Sequence, residues 1–310
     1  MSQAAFLLFL EQCLNGLQFG IMLFLITAGL TLVVGIMNFV NLAQGSLFML
    51  GAFVAAWFAS ITGNYYLAVA VAVAATAIIG AVVEVLALSR FYRRPHLDQV
   101  LATFGFILIF NEVARILWGS QGLTVVLPPE LNLSIELLPG LTYPLFRFVF
   151  IVFGLAVAAF LYVLIARTRV GMLIRAGASD REMVRGLGVN IDLLFTFVFG
   201  LGAALAGLAG SLSAPIMSAS VGMGEPVLIL GFVVIVIGGI GSIRGAFWAA
   251  LLVGFIDTLG RSYATSLISL VFGSTAASSV GPSLSGMMIY ILMATVLAVC
   301  PEGLFRARAS

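Results

Sequence analysis

The sequence predicts an all-α fold, a polytopic transmembrane helical bundle of about eight to ten spans with broken or half-spanning helices in each half. Three observations predict it. Only 8% of the residues are charged, against about 25% in average globular chains, so a soluble fold could not clothe its surface. Hydrophobic residues make up 62%, and the mean hydropathy is +1.22. The long apolar runs lack the alternation of a barrel strand, which favours helices that satisfy their own backbone in lipid.

The first span is expected over about 13–35. A polar break follows, IMNFVNLAQG, in which Asn38, Asn41 and Gln44 surround a turn ending at Gly45. An apolar helix then runs from Ser46 to about Ser60. Non-helical backbone at membrane depth is tolerated only when buried in protein or lining a wet cavity, which makes 38–45 a candidate pathway element. An interfacial loop between two ordinary helices accounts for the same residues. The third span covers about 64–89 and stops at the basic block SRFYRRPH with Pro95. The fourth covers about 98–118. The polar stretch after it, about 119–140, reads as an extramembrane loop with a short hairpin. The fifth, about 141–166, leads into the polar segment 167–190.

The sixth span, about 192–214, sets Gly202, Ala206 and Gly210 on one face, a spacing that lets helix backbones approach. The seventh, about 225–240, opens at Glu225-Pro226, with proline in the first turn. It is short and ends in IGGIGSIRG, broken by Gly238, Gly239, Gly241 and Gly245, with Ser242 among them. The eighth covers about 246–270, a small-residue loop FGSTAASSVGPS follows, and the ninth covers about 284–300. Interruptions at 38–45 and 238–245, one in each half, are a pattern that points to a translocation site in repeat-built transporters.

All 14 basic residues are arginine. Without lysine the chain has neither a Walker A lysine nor a Schiff-base lysine, so ATP used here must be hydrolysed by another chain. His96 is the single histidine, which excludes a His-rich metal site. Cys13 and Cys300 are expected near opposite faces, unpaired, as small apolar fillers. The start, MSQAAFLLFLEQ, has no basic region, so no cleaved signal peptide is expected.

Charges within the spans cost about 3 kcal/mol or more and default to functional hypotheses. Glu112 with Arg115 and Asp257 with Arg261 stand at i,i+3 and i,i+4, within reach of each other on one helix face. They read as neutralised structural pairs, whereas Glu84 comes nearest to an unpaired carboxylate. The arginine blocks at 90–94, 167–185 and 306–308 are separated by even numbers of spans. The positive-inside rule puts all three in the cytoplasm, and nine crossings then place the N-terminus outside. Segment 167–190, RTRVGMLIRAGASDREMVRGLGVN, mixes Asp180 and Glu182 with its arginines and ends at Gly186 and Gly188. Topology alone would not require the acids, so this island reads as a short charged helix that contacts a soluble partner.

The stretch GLTLVVGIMNFVNLAQGSLFMLGAFVA at 29–55 resembles the first conserved region of the branched-chain amino acid ABC transporter permeases. RVGMLIRAGASDREMVRGLGVN resembles their cytoplasmic loop for ATPase contact, and VVIVIGGIGSIRGAFWAALLVG at 233–254 and the terminal PEGLF at 301–305 are similar to further signatures. Weaker echoes lie at 83–95 and 101–119, so the likeness spans nearly the whole chain in order. It is more similar to the LivH-type than to the LivM-type subunit. Val184-Arg185 stands where members often carry small residues, and Gln44 where they carry histidine.

The resemblance implies a single permease domain over 1–310, with coupling segment 167–190 and an extracytoplasmic loop at about 119–140, in the bacterial inner membrane. It implies a second, LivM-type permease subunit, two ATP-binding subunits that hold ATP and Mg, and a periplasmic solute-binding protein. No cofactor belongs to this chain, and beyond membrane lipid no nucleic acid is expected. Arg175, Ala176, Asp180, Glu182, Arg185, Gly186 and Gly188 would form the ATPase-coupling surface. Asn38, Asn41, Gln44 and Gly45, with Gly238, Gly239, Gly241 and Ser242, would lie along the pathway. The function expected is import of branched-chain amino acids or related small amphipathic solutes, by a subunit with no enzymatic site of its own. The competing reading is an ion-coupled secondary carrier. An intramembrane enzyme is poorly supported, because no nucleophile–base pair or metal-ligand cluster stands out and the single histidine is in a loop.

Overall fold

The computed structural model describes residues 3–92, 94–272 and 274–305, and side chains outside 3–4, 265–272, 274–283 and 285. Eleven α-helices and one two-stranded sheet are found among them. In order they are α1 (Gln3–Met37), α2 (Gln44–Thr62), α3 (Tyr65–Leu86), α4 (His96–Trp118), β1 (Ser134–Leu138), β2 (Leu141–Pro144), α5 (Leu145–Arg167), α6 (Arg169–Ser179), α7 (Arg181–Gly186), α8 (Ile191–Met217), α9 (Gly224–Gly238), α10 (Ile243–Phe272) and α11 (Ser274–Val299). Seven of the helices are long and apolar enough to cross a membrane, and Gly224–Gly238 and Gly286–Val299 are shorter apolar helices. The protein is an all-α polytopic membrane bundle.

Helix ends follow local chemistry. Asn64 and Asn190 cap α3 and α8, each side chain accepting a backbone N–H at 3.1 Å, and Gly63 closes α2 at φ 67°. β1 and β2 pair antiparallel around Gly140. The core lies on α1, whose apolar window is 83% buried, flanked by α8 and α2 at 67% and 61%; α3, α4 and α5 are 22% buried and form the outer ring. Small residues allow this centre. A Cβ placed on Gly202 of α8 would lie 3.1 Å from the Gly29 carbonyl of α1, and Ala206 is fully buried. The role foreseen for the Gly202–Ala206–Gly210 face is therefore structural: it lets α8 thread between α1, α2 and α3.

Three boundaries differ from expectation. α1 begins at Gln3 rather than near 13, because QAAFLLFLEQ holds good helix formers and no breaker. The segment FGSTAASSVGPS is not a loop: its described backbone is helical from Ser274, with Pro282 inside α11. Weak propensity yields where the backbone's own partners are the best ones at hand. The charged island is two helices, α6 and α7, parted at Asp180 in an extended conformation (φ −149°, ψ 104°). Arg93, Arg306 and Arg308 lie outside the described residues.

Phe39, Tyr92 and Phe195 stack edge to face with centroids 5.5 and 5.6 Å apart. This brings the end of α1, the 90–94 block and the start of α8 to one end of the bundle, with the island against them. We call it the arginine-rich end.

Candidate functional site

The island is folded by its own caps. The Thr168 hydroxyl accepts the Gly171 N–H at 3.1 Å at the start of α6, and Asp180 Oδ1 accepts the Met183 N–H at 2.9 Å at the start of α7. Gly188, at φ 86°, turns the chain out of α7. α6 buries Gly171, Ile174 and Gly177 and leaves Arg175 outside with Ala176 half-buried. Arg175 donates to the Ile165 carbonyl, tying α6 back to α5. Glu182, Arg185, Gly186 and Gly188 are exposed, and Arg185 pairs with Asp192 at 3.2 Å. Between these charges Met172, Met183 and Leu187 stand 55%, 67% and 78% exposed.

Arg181 was not singled out by sequence, yet it joins the island to the bundle. Its Nη2 donates to the Ile36 carbonyl at 3.1 Å, and its guanidinium lies 5.3 Å from the Phe195 ring centroid. Burial lowers its pKa, against an opposing pull from Tyr92. Beside it, Glu84 is buried but not unpartnered: the Tyr92 hydroxyl donates to one carboxylate oxygen and Thr196 Oγ1 to the other at 2.6 Å. Burial first, then the bond to Glu84, pushes the Tyr92 phenol well above its ordinary range. The two charge pairs expected along the spans form, Arg115–Glu112 at 3.0 Å and Arg261–Asp257 at 2.9 Å.

The first break is non-helical from Asn38 to Ala43. Asn38 is exposed at φ 48°, its N–H still bonded to the Val34 carbonyl. Asn41 and Gln44 are fully buried. Asn41 Nδ2 donates to Gln44 Oε1 at 3.3 Å, and Gln44 Nε2 donates to the Gly202 carbonyl at 2.8 Å. Gly29 of α1 also lies against that amide. From Met37 back to Gly29, α1 rises about 12 Å, and from Ile191 to Gly202, α8 rises about 16 Å. Gln44 therefore sits roughly 12–16 Å along the bundle from the arginine-rich ends of α1 and α8. Within 38–45 the irregular backbone buries Phe39, Asn41 and Ala43 and leaves Asn38 exposed.

Gly45, at that depth, does not meet the second break. It meets the start of α9: a Cβ on Gly45 would stand 2.5 Å from the Gly224 carbonyl. Gly238, Gly239, Gly241 and Ser242 lie at the other end of α9, about 22 Å away along its 15 residues. There Gly241 touches Gly35 of α1, and Ser242 Oγ accepts the Gly245 N–H at 3.1 Å. Gly239, at φ 98°, lies against the C-terminal segment, whose Leu304 and Phe305 N–H groups bond to the Ile237 and Gly238 carbonyls at 2.8 and 3.2 Å. The terminal PEGLF thus packs on the second break.

Between α2, α4 and α9 the Gly45–Gly224 contact leaves a shallow niche, lined also by Ser46, Asn111 and Glu225. Asn111 Nδ2 donates to Glu225 Oε1 at 2.8 Å. Sequence reading took Glu225 only as the start of a helix and gave Asn111 no role; their meeting joins residues 114 positions apart.

Residues 12–297 match the family model described as branched-chain amino acid transport system / permease component. The chain is 29% identical over 277 residues to the high-affinity branched-chain amino acid transport system permease protein LivH of Salmonella typhimurium, covering 83% of this chain and 88% of that one. It is 28% identical over 268 residues to the corresponding BraD protein of Pseudomonas aeruginosa, with 81% and 86% covered. A probable branched-chain amino acid transport permease protein LivH of Methanocaldococcus jannaschii is 28% identical over 299 residues, with 91% and 88% covered. No solved structure matches the chain. With a family model that spans all but the two ends of this membrane bundle, the chain belongs to the branched-chain amino acid transport system permease component family.

Proposed function

We propose that this chain is one permease subunit of an ATP-driven importer that moves branched-chain amino acids, or related small amphipathic solutes, delivered by a binding protein. Family membership over residues 12–297 carries the reading. It acts as one permease domain without an ATPase site of its own, since it has no lysine for a Walker A motif. Two partner subunits hold ATP and Mg, a LivM-type permease completes the membrane pair, and a periplasmic protein delivers the solute. The arginine-rich end faces the cytoplasm of a bacterial inner membrane, with the 119–140 loop outside.

The ATPases dock on α6 and α7, where Met172, Met183 and Leu187 stand among Arg175, Glu182 and Arg185. Arg181 carries their movement to the end of α1, next to the first break. Purification and reconstitution test the whole reading. The chain is expected to bring down two ATPases and a second permease, and leucine uptake by the assembly is expected to require ATP and the binding protein. Uptake driven by an ion gradient, without ATPases, would overturn it in favour of a secondary carrier.

A further inference from the structure

We propose that Arg244 of α10, with Tyr162 of α5 and Trp248, forms a seat for the phosphate of an anionic phospholipid on the outer face of the bundle. The seat stands apart from the docking surface on α6 and α7 and does not depend on how import is driven.

α5 and α10 both pack on α1, and Arg244 reaches from one to the other. Its Nη2 donates to the Tyr162 hydroxyl at 2.9 Å, and its guanidinium carbon lies 5.0 Å from the centre of the same ring. Arg115 and Arg261 are each met by a carboxylate on their own helix. Arg244 is met by a neutral phenol and has no carboxylate partner among the described residues. It is exposed, with most of its N–H fork unused among those residues. Tyr162 thus holds the guanidinium in place and leaves its charge unanswered.

Depth selects the anion. Gly241 touches Gly35 near the end of α1, and Gly254 lies on Gly20, so α10 starts near the arginine-rich end and runs away from it. Tyr162 stands about 7–8 Å short of Arg167, the last residue of α5. Arg244 is therefore just inside the level at which the spans end. An unpaired charge against hydrocarbon is costly there, and phospholipid headgroups are the anions at hand. Trp248, at i+4 from Arg244 and so on the same face, sits about 6 Å deeper. Tyr162 and Trp248 are 44% and 57% exposed, the placing of aromatic belts at headgroup level. Leu155, at i−7 from Tyr162, continues that exposed face inward. Arginine, aromatic ring and aliphatic surface follow one another in the order of phosphate, glycerol and acyl chain. A phosphate also takes the arginine fork through two bonds at once.

The test titrates the purified full-length chain, with any subunits that come with it, in a mild detergent, read by native mass spectrometry. The probes are dioleoylphosphatidylglycerol and, separately, zwitterionic dioleoylphosphatidylcholine. Wild type is expected to bind the anionic lipid about ten-fold more tightly, the worth of a charge-assisted hydrogen bond. Arg244→Gln should lose that preference, Arg244→Lys should keep part of it, and Arg90→Gln, an exposed arginine at the same end, should keep all of it. Phosphatidylglycerol with a diazirine in its acyl chain should label peptides that contain Leu155 or Trp248, and excess unlabelled lipid should suppress the label. Equal binding of the two lipids, an unchanged preference in Arg244→Gln, an equal loss in Arg90→Gln, or label confined to other peptides overturns the seat. Displacement of the lipid by glycerol phosphate also overturns it, in favour of a soluble phosphate ligand. So does a label lost when a second permease subunit is bound, which would put a partner's side chain on Arg244. Should Arg244→Gln fail to fold, the wild-type labelling pattern decides.

Discussion

Asp180 separates two explanations of why the island is charged. Its side chain is the N-cap of α7, accepting the Met183 N–H at 2.9 Å. A cap of this kind is worth about 0.5–2 kcal/mol. α7 has only six residues, far below the roughly 12–15 at which an isolated helix becomes marginal, so it depends on every local contribution. Losing about 1 kcal/mol changes the population of the formed helix about fivefold. Asp180→Ala is therefore expected to lower binding-protein-stimulated ATPase and uptake about fivefold in proteoliposomes, with membrane insertion unchanged. Asp180→Asn keeps a cap oxygen and removes the charge, so it should stay within about twofold of wild type. If Asn proves as damaging as Ala, the carboxylate contacts a partner and the capping argument is refuted. If neither substitution changes coupling, the island is no docking element.

Three further outcomes are expected. Gly45→Ala pushes a methyl group to 2.5 Å from the Gly224 carbonyl, which belongs to backbone and cannot swing away; it should destabilise the purified protein by about 1–3 kcal/mol, read as a lowered thermal midpoint, and an unchanged midpoint would show that α2 and α9 can part freely. Arg181→Gln removes the Ile36 bond and the Phe195 contact, and should uncouple ATP hydrolysis from uptake without releasing the ATPases; full coupling would place the transmission route elsewhere. Gly239→Ala forces a side chain into φ 98° and against the terminal segment, a strain of about 1–3 kcal/mol, and should speed carboxypeptidase trimming of the C-terminus; unchanged trimming would mean the segment holds on by other contacts.

What could be read from the sequence was what is local. The spans announced themselves through apolar length, and the pairs Arg115–Glu112 and Arg261–Asp257 through i,i+3 and i,i+4 spacing. The irregular stretch before Gln44 was visible as polar residues inside an apolar run. Long-range partners were not visible. Nothing near Gln44 says that its amide will find the Gly202 carbonyl 158 positions away, or that Glu84 will be met by Thr196, 112 positions on. The niche stayed hidden for the same reason, since Asn111 and Glu225 come from helices far apart in the chain. α11 was begun ten residues late because small polar residues look like a loop when read as a soluble chain.

The path from Arg181 to the bundle has a mechanical consequence. Its anchor, the Ile36 carbonyl, lies at the end of a rigid helix, and beyond it six irregular residues lead to Gln44, which is pinned to α8. They climb about 12–16 Å of a possible reach of about 20–22 Å, so about a third of the reach is slack and a free string here would transmit nothing. The segment is no free string: Phe39, Asn41 and Ala43 are buried, and Asn41 is bonded to Gln44 and to the Ala43 N–H. Motion imposed on the arginine-rich end therefore reaches Gln44 and the start of α2 through packed contacts, which push as well as they pull.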